Sequence, residues 1–202
     1  VMVNTGQTLT AMTRWLGPDS KYAEAVELAK STAEALVVGD PPDPKVFIGP
    51  MSSAGQQQTV LDYINQAVSD GARLVTGGTD MPAGLTTGNY VLPTVFADVT
   101  NDMTIAQEEV FGPVLVMIKY SDIDQAIEIA NDTPYGLASA VWAGDKDKGT
   151  AIARRMGGGK WAIKGGDANH EAPFGGYKES GNGREFGVEG LHEYCELKAM
   201  QY

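Results

Sequence analysis

The chain has 202 residues, of which 43% are hydrophobic, a share that supports a sizeable core and excludes an intrinsically disordered polypeptide. Its formal net charge of -11 at pH 7 argues against nucleic acid and anionic membranes as partners, because both require basic surfaces. No stretch approaches the roughly 20 apolar residues of a membrane span, and one cysteine with two histidines offers too few ligands for a metal site. We therefore expect an acidic, soluble, cytoplasmic protein that has no metal.

Short apolar runs alternate with amphipathic stretches along the chain, a pattern typical of α/β folds. In chain order, the predicted elements are a helix at residues 19–37, a helix at 53–70, a strand at 72–76, an extended segment at 90–96, a strand at 114–120, a helix with apolar residues at 123, 127 and 130, a strand at 138–143, a helix at 145–156, a strand at 160–164 and a strand at 196–201. Strands and helices that alternate in this way favour right-handed crossovers. We predict an α/β fold with an open, mostly parallel twisted sheet and helices on both faces.

Individual residues mark where these elements begin and end. Ser121 and Asp145 are predicted to cap the helices that follow them, because their side-chain oxygens can accept from backbone N–H groups. Gly71 follows the second helix as a C′ glycine, and Pro93 indicates an edge or irregular strand. Cys195 is predicted to be a packed apolar residue of the C-terminal strand.

The glycine-rich segment GGYKESGNGREFG at residues 175–187 first suggests phosphate binding. Gly181 and Gly183 fit the start of G-x-G-x-x-G, but Phe186 stands at the third glycine position and the segment follows a loop. The chain also has no G-x-x-x-x-G-K-[ST] and no G-x-S-x-G. These glycines are therefore expected to serve turns that require positive φ.

Five specific motifs follow one another along the chain: NTGQ at residues 4–7, IGP at 48–50, EEVFGPVL at 108–115, NDTPYGL at 131–137 and PFGGYKESGNGRE at 173–185. In this order and combination they resemble the motifs of the aldehyde dehydrogenase superfamily. The resemblance extends to about residue 198 and concerns the catalytic domain alone. It implies one catalytic-domain unit over residues 1–202, with the N-terminal cofactor domain, its general-base glutamate and an oxyanion-hole asparagine missing.

The same resemblance implies an NAD(P) cofactor and assigns three residues to the site. Glu109 matches the residue that holds the nicotinamide ribose hydroxyls, a suitable task for a carboxylate. Phe111 matches the aromatic side chain beside the nicotinamide, and Phe174 matches a wall of the aldehyde tunnel. The structural alternative for each is a surface acid or a core aromatic. We expect the chain alone not to bind the cofactor.

Leu9 occupies the position of the catalytic cysteine in the N-x-G-Q-x-C motif of that family. There the thiolate attacks the aldehyde, hydride leaves for the cofactor, and water releases the acid. Leu9 has no lone pair, and the flanking Thr8 and Thr10, which would line the substrate pocket, have no visible base to activate them. We expect no ordinary dehydrogenase activity.

Lys164 is a second departure, because it replaces the asparagine of the family in the strand GKWAIKGG. On a strand, Lys164 and Ala162 share a face, and a lysine in a closed apolar pocket is destabilised as a cation. With Leu9, this suggests an engineered or repurposed amine catalyst of retro-aldolase type, in which Lys164 forms a Schiff base with an aldehyde or ketone. The alternatives are an ammonium that reaches water and a non-catalytic homo-oligomer that associates through the former domain interface.

Overall fold

The computed structural model describes residues 1–167 and 169–202. Contacts within the chain define two compact units, Val1–Ile129 and Ala130–Tyr202, which we call the first and the second unit. Both units combine strands with helices, and most strand pairs are parallel. The predicted α/β fold with a mostly parallel sheet is confirmed.

Four strands form the sheet of the first unit. In chain order they are β1 (Arg14–Pro18), β2 (Arg73–Thr76), β3 (Thr94–Ala97) and β4 (Val114–Tyr120). Their spatial order is β1-β4-β3-β2, with β4 parallel to both of its neighbours and β2 antiparallel to β3 at the edge. All four residues of β3 are buried, as expected for a strand that is covered on both faces.

Helices pack on both faces of this sheet. They are α1 (Asp19–Glu34), α2 (Ala54–Ser69), the short α3 (Thr104–Gln107) and α4 (Ile123–Asn131). Tyr22 of α1 belongs to one buried cluster together with Val95, and Ile64 of α2 belongs to another together with Phe96. Successive strand residues point to opposite faces, so the two clusters lie on the two sides of β3. The prediction of helices on both faces is confirmed.

The second unit is built from shorter elements. They are β5 (Tyr135–Gly136), β6 (Ala138–Val141), α5 (Lys146–Ala153), β7 (Lys160–Ile163), β8 (Tyr177–Lys178) and α6 (Gly187–His192). β6 and β7 pair in parallel, and β5 and β8 form a separate antiparallel pair. The ammonium of Lys178 donates to the carbonyl oxygens of Asn131 at 2.6 Å and Thr133 at 2.8 Å, which ties β8 to the segment before β5.

Glycines in the second unit serve two purposes, of which the sequence predicted one. Gly181 and Gly183 have φ of 142° and 73°, so the predicted positive φ is confirmed for them. A Cβ on Gly159 would lie 1.6 Å from the carbonyl oxygen of Gly175, and one on Gly175 would lie 2.5 Å from that of Gly183. Gly159 and Gly175 are therefore required for close backbone approach, which the sequence did not reveal.

Three helix ends have recognisable cap chemistry, two of them at the predicted residues Asp145 and Gly71. The Asp145 carboxylate accepts from the Lys148 N–H at 2.8 Å and caps α5, as predicted. The Ser53 hydroxyl oxygen accepts from the Gln56 N–H at 3.1 Å and caps α2. Gly71 has φ of 95° directly after the C-cap of α2, which confirms it as the C′ glycine.

The predicted cap of α4 is wrong by one residue. Asp122, and not Ser121, accepts from the Gln125 N–H, at 2.9 Å. The Ser121 hydroxyl instead donates to the other carboxylate oxygen of Asp122, at 3.0 Å. The backbone hydrogen bond from Gln125, supported by that hydroxyl, lowers the pKa of Asp122 below its ordinary value of 3.8.

The predicted C-terminal strand at residues 196–201 is wrong. In the described part of the chain this segment pairs with no strand, and its apolar side chains, including Leu197 and Met200, are exposed. A strand requires hydrogen-bond partners on a neighbouring strand, which apolar residues alone do not supply. Cys195 follows α6 and is exposed, so its prediction as a packed residue is also wrong.

Candidate functional site

The N-terminal motif folds into a tight left-handed turn, which we call the lip (residues 4–11). Asn4, Thr5 and Gly6 have φ of 52°, 57° and 73° in succession, a conformation that only glycine adopts without strain. Gly6 is also required sterically, because a Cβ there would lie 1.9 Å from the carbonyl oxygen of Gly112. The lip therefore lies directly against the FGP segment of the third motif.

Leu9 lies on a β-turn at the end of the lip. The Ala11 N–H donates to the Thr8 carbonyl oxygen at 2.9 Å, which places Leu9 second in the turn. Its side chain is 58% exposed, and the flanking Thr8 and Thr10 are half-buried. The Thr8 hydroxyl donates to the Val3 carbonyl oxygen at 3.4 Å. The turn presents an apolar side chain at the position that the resemblance assigns to the nucleophilic cysteine of the family.

The second motif anchors the lip from another side. The Thr5 hydroxyl donates to the carbonyl oxygen of Gly49 at 3.1 Å, and the Ser52 N–H donates to the side-chain oxygen of Gln7 at 2.9 Å. Thr5 is buried, so its hydroxyl is satisfied within the protein. Two motifs that are more than 40 residues apart in sequence are thus in direct contact.

The two predicted cofactor residues lie in one loop between α3 and β4. Glu109 is exposed, whereas its neighbour Glu108 accepts from the Tyr63 hydroxyl at 2.7 Å. Phe111 is half-buried and has φ of 52°. The side chain of Gln56 donates to the carbonyl oxygens of Val110 at 3.2 Å and of Phe111 at 3.1 Å. The loop is thus held from α2 by two polar side chains, the hydroxyl of Tyr63 and the carboxamide of Gln56.

The residues present fit the nicotinamide ribose portion of NAD(P). The exposed carboxylate of Glu109 can accept from two sugar hydroxyls, and the partly exposed ring of Phe111 offers an apolar surface two residues away.

Within residues 1–167 and 169–202, no group of three or more His, Cys, Asp or Glu side chains could hold a metal ion. In the same residues, no helix is long and apolar enough to span a bilayer.

Phe174 lies in the second unit, in a small aromatic group. Its backbone exchanges two hydrogen bonds with Glu185, at 2.8 and 2.7 Å. Its half-buried ring lies 6.5 Å from that of Phe186, and the ammonium of Lys160 lies 6.0 Å from its centroid. This arrangement holds the ring directly before the glycine-rich segment and pairs its backbone with Glu185 near the end of that segment.

Lys164 does not continue β7, which differs from the sequence-based expectation. The strand ends at Ile163, and Lys164 adopts φ of 52° on an exposed bend. Its ammonium donates to the carbonyl oxygen of Gly144 at 3.0 Å. The expected face shared with Ala162 in a closed apolar pocket is therefore wrong, because the backbone leaves the extended conformation at Lys164, whose N–H still donates to the Val141 carbonyl oxygen at 2.9 Å.

Sequence reasoning missed the residues that hold these motifs together. Gln56 lies in the run GQQQ, where nothing distinguishes it from Gln57 and Gln58. Gly112 was visible only as part of a motif, and its contact with Gly6 joins positions that are far apart in sequence. The spacing of Ser53 and Gln56 was the one available signal, because it places Gln56 in the first turn of α2.

Comparisons with known proteins agree with the motifs. The sequence profile described as the aldehyde dehydrogenase family matches residues 1–200. The chain is 44% identical over 200 residues to 3-succinoylsemialdehyde-pyridine dehydrogenase of a Pseudomonas species, which covers 99% of the chain and 42% of that protein. The chain thus spans less than half of the length of such relatives.

Two solved structures have the same fold. A mutant of aldehyde dehydrogenase C from Pseudomonas syringae, in complex with NAD+ and octanal, matches with a TM-score of 0.94 and 44% identity, over 97% of the chain and 40% of that protein. An aldehyde dehydrogenase from Mycobacterium tuberculosis in complex with NAD+ matches with a TM-score of 0.92 and 46% identity, over 98% of the chain and 42% of that protein.

Proposed function

The chain belongs to the aldehyde dehydrogenase family, and we propose that it forms the nucleophile side of an aldehyde site whose attacking thiol is replaced by Leu9. The observation that carries the proposal is the retained lip, in which Leu9 lies on an exposed turn. Family chemistry begins when a thiolate adds to the aldehyde carbon, and a leucine side chain has no electron pair for that bond. The chain therefore binds aldehydes without oxidising them.

NAD(P) is the cofactor class that the family implies. We assign Glu109 to the ribose hydroxyls and Phe111 to the face of the nicotinamide, because an exposed carboxylate and a half-buried ring share one loop. If NAD(P) were held there, it would supply the hydride acceptor of the family reaction, a reaction that the missing thiol at position 9 prevents. The general base and the oxyanion asparagine would come from outside residues 1–202, which would act as one catalytic-domain unit.

By the family resemblance we assign three further residues to the aldehyde. Thr8 and Thr10 flank Leu9 and are assigned to the substrate pocket, and Phe174 is assigned to the wall of the aldehyde tunnel. All three are half-buried, so part of each side chain remains accessible. The solved relative that contains octanal supports an aliphatic aldehyde as the first ligand to test.

Amine catalysis at Lys164 stays a prediction that the geometry does not favour. Lys164 is exposed and its side chain donates to the carbonyl oxygen of Gly144, so it lies outside any closed apolar pocket of the kind that would favour amine catalysis. Treatment with borohydride and a ketone, followed by mass spectrometry, tests the alternative directly. An adduct that disappears in Lys164→Ala would establish Schiff-base chemistry, and no adduct would exclude it.

We also propose that the chain self-associates through the second unit. Its C-terminal apolar side chains are exposed: Val188, Leu191, Tyr194, Leu197 and Met200. Of the 26 acidic and 15 basic side chains, 10 and 9 lie in residues 130–202, so charge repulsion between second units is weak. Sedimentation velocity should reveal a dimer or larger species, and a monomer at high concentration would contradict the proposal.

Two assays test the central proposal. The chain with NAD+ and octanal should form NADH no faster than a blank, and aldehyde-dependent NADH would overturn the assignment. The second assay restores the thiol by Leu9→Cys in a Cys195→Ser background. The introduced thiolate should attack p-nitrophenyl acetate, form a thioester and release p-nitrophenolate. Acetylation found by peptide mass spectrometry at position 9 supports the proposal, and its absence contradicts it.

A further inference from the structure

One side chain of α2 contacts the loop of the two cofactor residues. The carboxamide of Gln56 donates to two successive carbonyl oxygens, those of Val110 and Phe111, at 3.2 and 3.1 Å. The backbone N–H of Gln56 donates to the hydroxyl oxygen of Ser53 at 3.1 Å, so the start of the helix fixes the backbone of Gln56. A side chain held in this way can impose a defined position on the backbone that it binds.

Phe111 needs such a partner because its backbone is strained. It adopts φ of 52°, a conformation that is unfavourable for a bulky residue and persists only where the surroundings enforce it. One turn along α2, Val60 packs on the next residue of the loop, since a Cβ on Gly112 would lie 2.6 Å from a Val60 methyl group. α2 therefore holds both sides of the Phe111 peptide.

The same loop contacts the lip. A Cβ on Gly6 would lie 1.9 Å from the carbonyl oxygen of Gly112, so the two backbones are in direct contact. A displacement of the loop would therefore also move the lip. On the other side, Gln7 binds the N–H of Ser52, which directly precedes the Ser53 cap. These contacts form a closed ring from the lip through α2 and the loop back to the lip.

We propose that Gln56 is a positioning residue that sets the Glu109–Phe111 loop against the turn of Leu9. The inference rests on the proposed function, because it assumes that this loop and this turn belong to one reaction site. Gln56 acts through two backbone carbonyls and touches neither the cofactor nor the aldehyde in this role. Loss of its donor should release Phe111 from φ of 52° and shift Gly112 away from Gly6.

The test uses the full chain with Leu9→Cys and Cys195→Ser, in which acetylation of the introduced thiol by p-nitrophenyl acetate is followed across pH. Adding Gln56→Glu keeps the shape of the side chain but replaces the donor with an acceptor that repels both carbonyls. We expect the limiting acetylation rate to fall about tenfold or more and the pH midpoint to shift, while half-saturation by the ester is unchanged.

Gln57→Glu is the matched control. Gln57 is the next residue of α2, and its carboxamide donates to the Tyr90 carbonyl oxygen at 2.8 Å, away from the loop. The same substitution there removes a bond of the same kind, so it should lower stability comparably and leave the acetylation rate within about twofold. Gln56→Leu, which deletes the donor without adding charge, serves if Gln56→Glu does not fold.

The outcomes separate this inference from the proposed function. If p-nitrophenyl acetate does not acetylate the Leu9→Cys, Cys195→Ser parent, the proposed function is wrong, whatever the role of Gln56. If the parent reacts but the Gln56 variants keep its rate and pH midpoint, the positioning role is wrong. Equal slowing by Gln56→Glu and Gln57→Glu would likewise reduce Gln56 to a stabilising residue and overturn the inference.

Discussion

The two units differ in what holds them together. Every buried hydrophobic side chain among the described residues lies in the first unit, and most of these side chains belong to two clusters that include residues of α1, α2 and the sheet. In the described part of the second unit, the buried residues are all glycines: Gly136, Gly149, Gly158, Gly176 and Gly190. The first unit is thus stabilised by apolar burial, and the second by backbone hydrogen bonds and close contacts between glycines.

The two units are therefore expected to differ in rigidity. The lip and the loop that contains Glu109 and Phe111 belong to the well-packed first unit, which suits residues whose positions must be held accurately. The second unit contributes Phe174 and the exposed C-terminal segment, on a framework that lacks an apolar core of its own in the described residues. We expect the second unit to open under conditions in which the first stays folded.

Truncation of one phenylalanine in each unit should separate them most clearly. Phe96 is fully buried in the first unit, and Phe96→Ala should lower the free energy of unfolding by about 3–5 kcal/mol. Phe174→Ala removes a half-buried ring of the second unit and should cost less than half as much. Urea unfolding followed by circular dichroism measures both. Equal losses would contradict the contrast between the units.

Glycine replacement should affect the second unit next most strongly. A Cβ at Gly159 would meet the carbonyl oxygen of Gly175 at 1.6 Å, so Gly159→Ala forces the backbone apart and should cost about 1–3 kcal/mol or more. Gly144→Ala is the control, because nothing lies within 4 Å of a Cβ there. Hydrogen exchange should increase around Gly175 in the first variant only. Unchanged exchange in Gly159→Ala would show that glycine packing does not hold this unit.

The two helix caps provide a finer comparison. Ser53→Ala and Asp145→Ala remove equivalent hydrogen bonds, each worth about 1 kcal/mol. Because α2 belongs to the first core, Ser53→Ala should lower the midpoint of global unfolding. Asp145→Ala should mainly raise amide exchange within α5. A global shift of the same size in both variants would show that the units unfold together.

Acid should weaken the cap of α4, and this is the smallest of the expected effects. The hydrogen bond from the Gln125 N–H lowers the pKa of Asp122 in the folded protein below its ordinary 3.8. Its stabilising contribution is therefore present above that ordinary value and is lost as pH falls through the folded value. Amide exchange in α4, corrected for intrinsic rates, should rise as pH falls below the ordinary value of 3.8. Asp122→Asn keeps a cap without a titrating group, and an identical rise there would exclude this cause.

Local patterns predicted most of the fold. Apolar periodicity located α1 and α2, and the run VLVMIKY matches β4 from its first to its last residue. The strand at residues 196–201 failed because apolar side chains indicate only a preference for burial, and strand pairing depends on a partner elsewhere in the fold. β1 was missed because Gly17 and Pro18 within Arg14–Pro18 weaken its strand pattern.

The site was predicted only as far as its motifs. Motif order placed Leu9 and Phe111 in one site, and the contact between Gly6 and Gly112 agrees with that placement. The bend at Lys164 was not visible, because GKWAIKGG continues the strand pattern for one residue too many. The role of Gln56 depends on carbonyl oxygens more than 50 residues away, a contact that composition and spacing cannot reveal.

We expect the lip to keep the geometry of a nucleophile turn, so that a thiol at position 9 would accept an acyl group more readily than an ordinary surface thiol. This expectation is tested most directly by comparing two thiols in the same fold, one introduced by Leu9→Cys in a Cys195→Ser background and one, Cys195, in the unchanged chain. Cys195 is exposed and outside the lip, so it reports the reactivity of an ordinary surface thiol. The account predicts that p-nitrophenyl acetate acetylates the introduced thiol about tenfold faster than Cys195. Equal rates would contradict it.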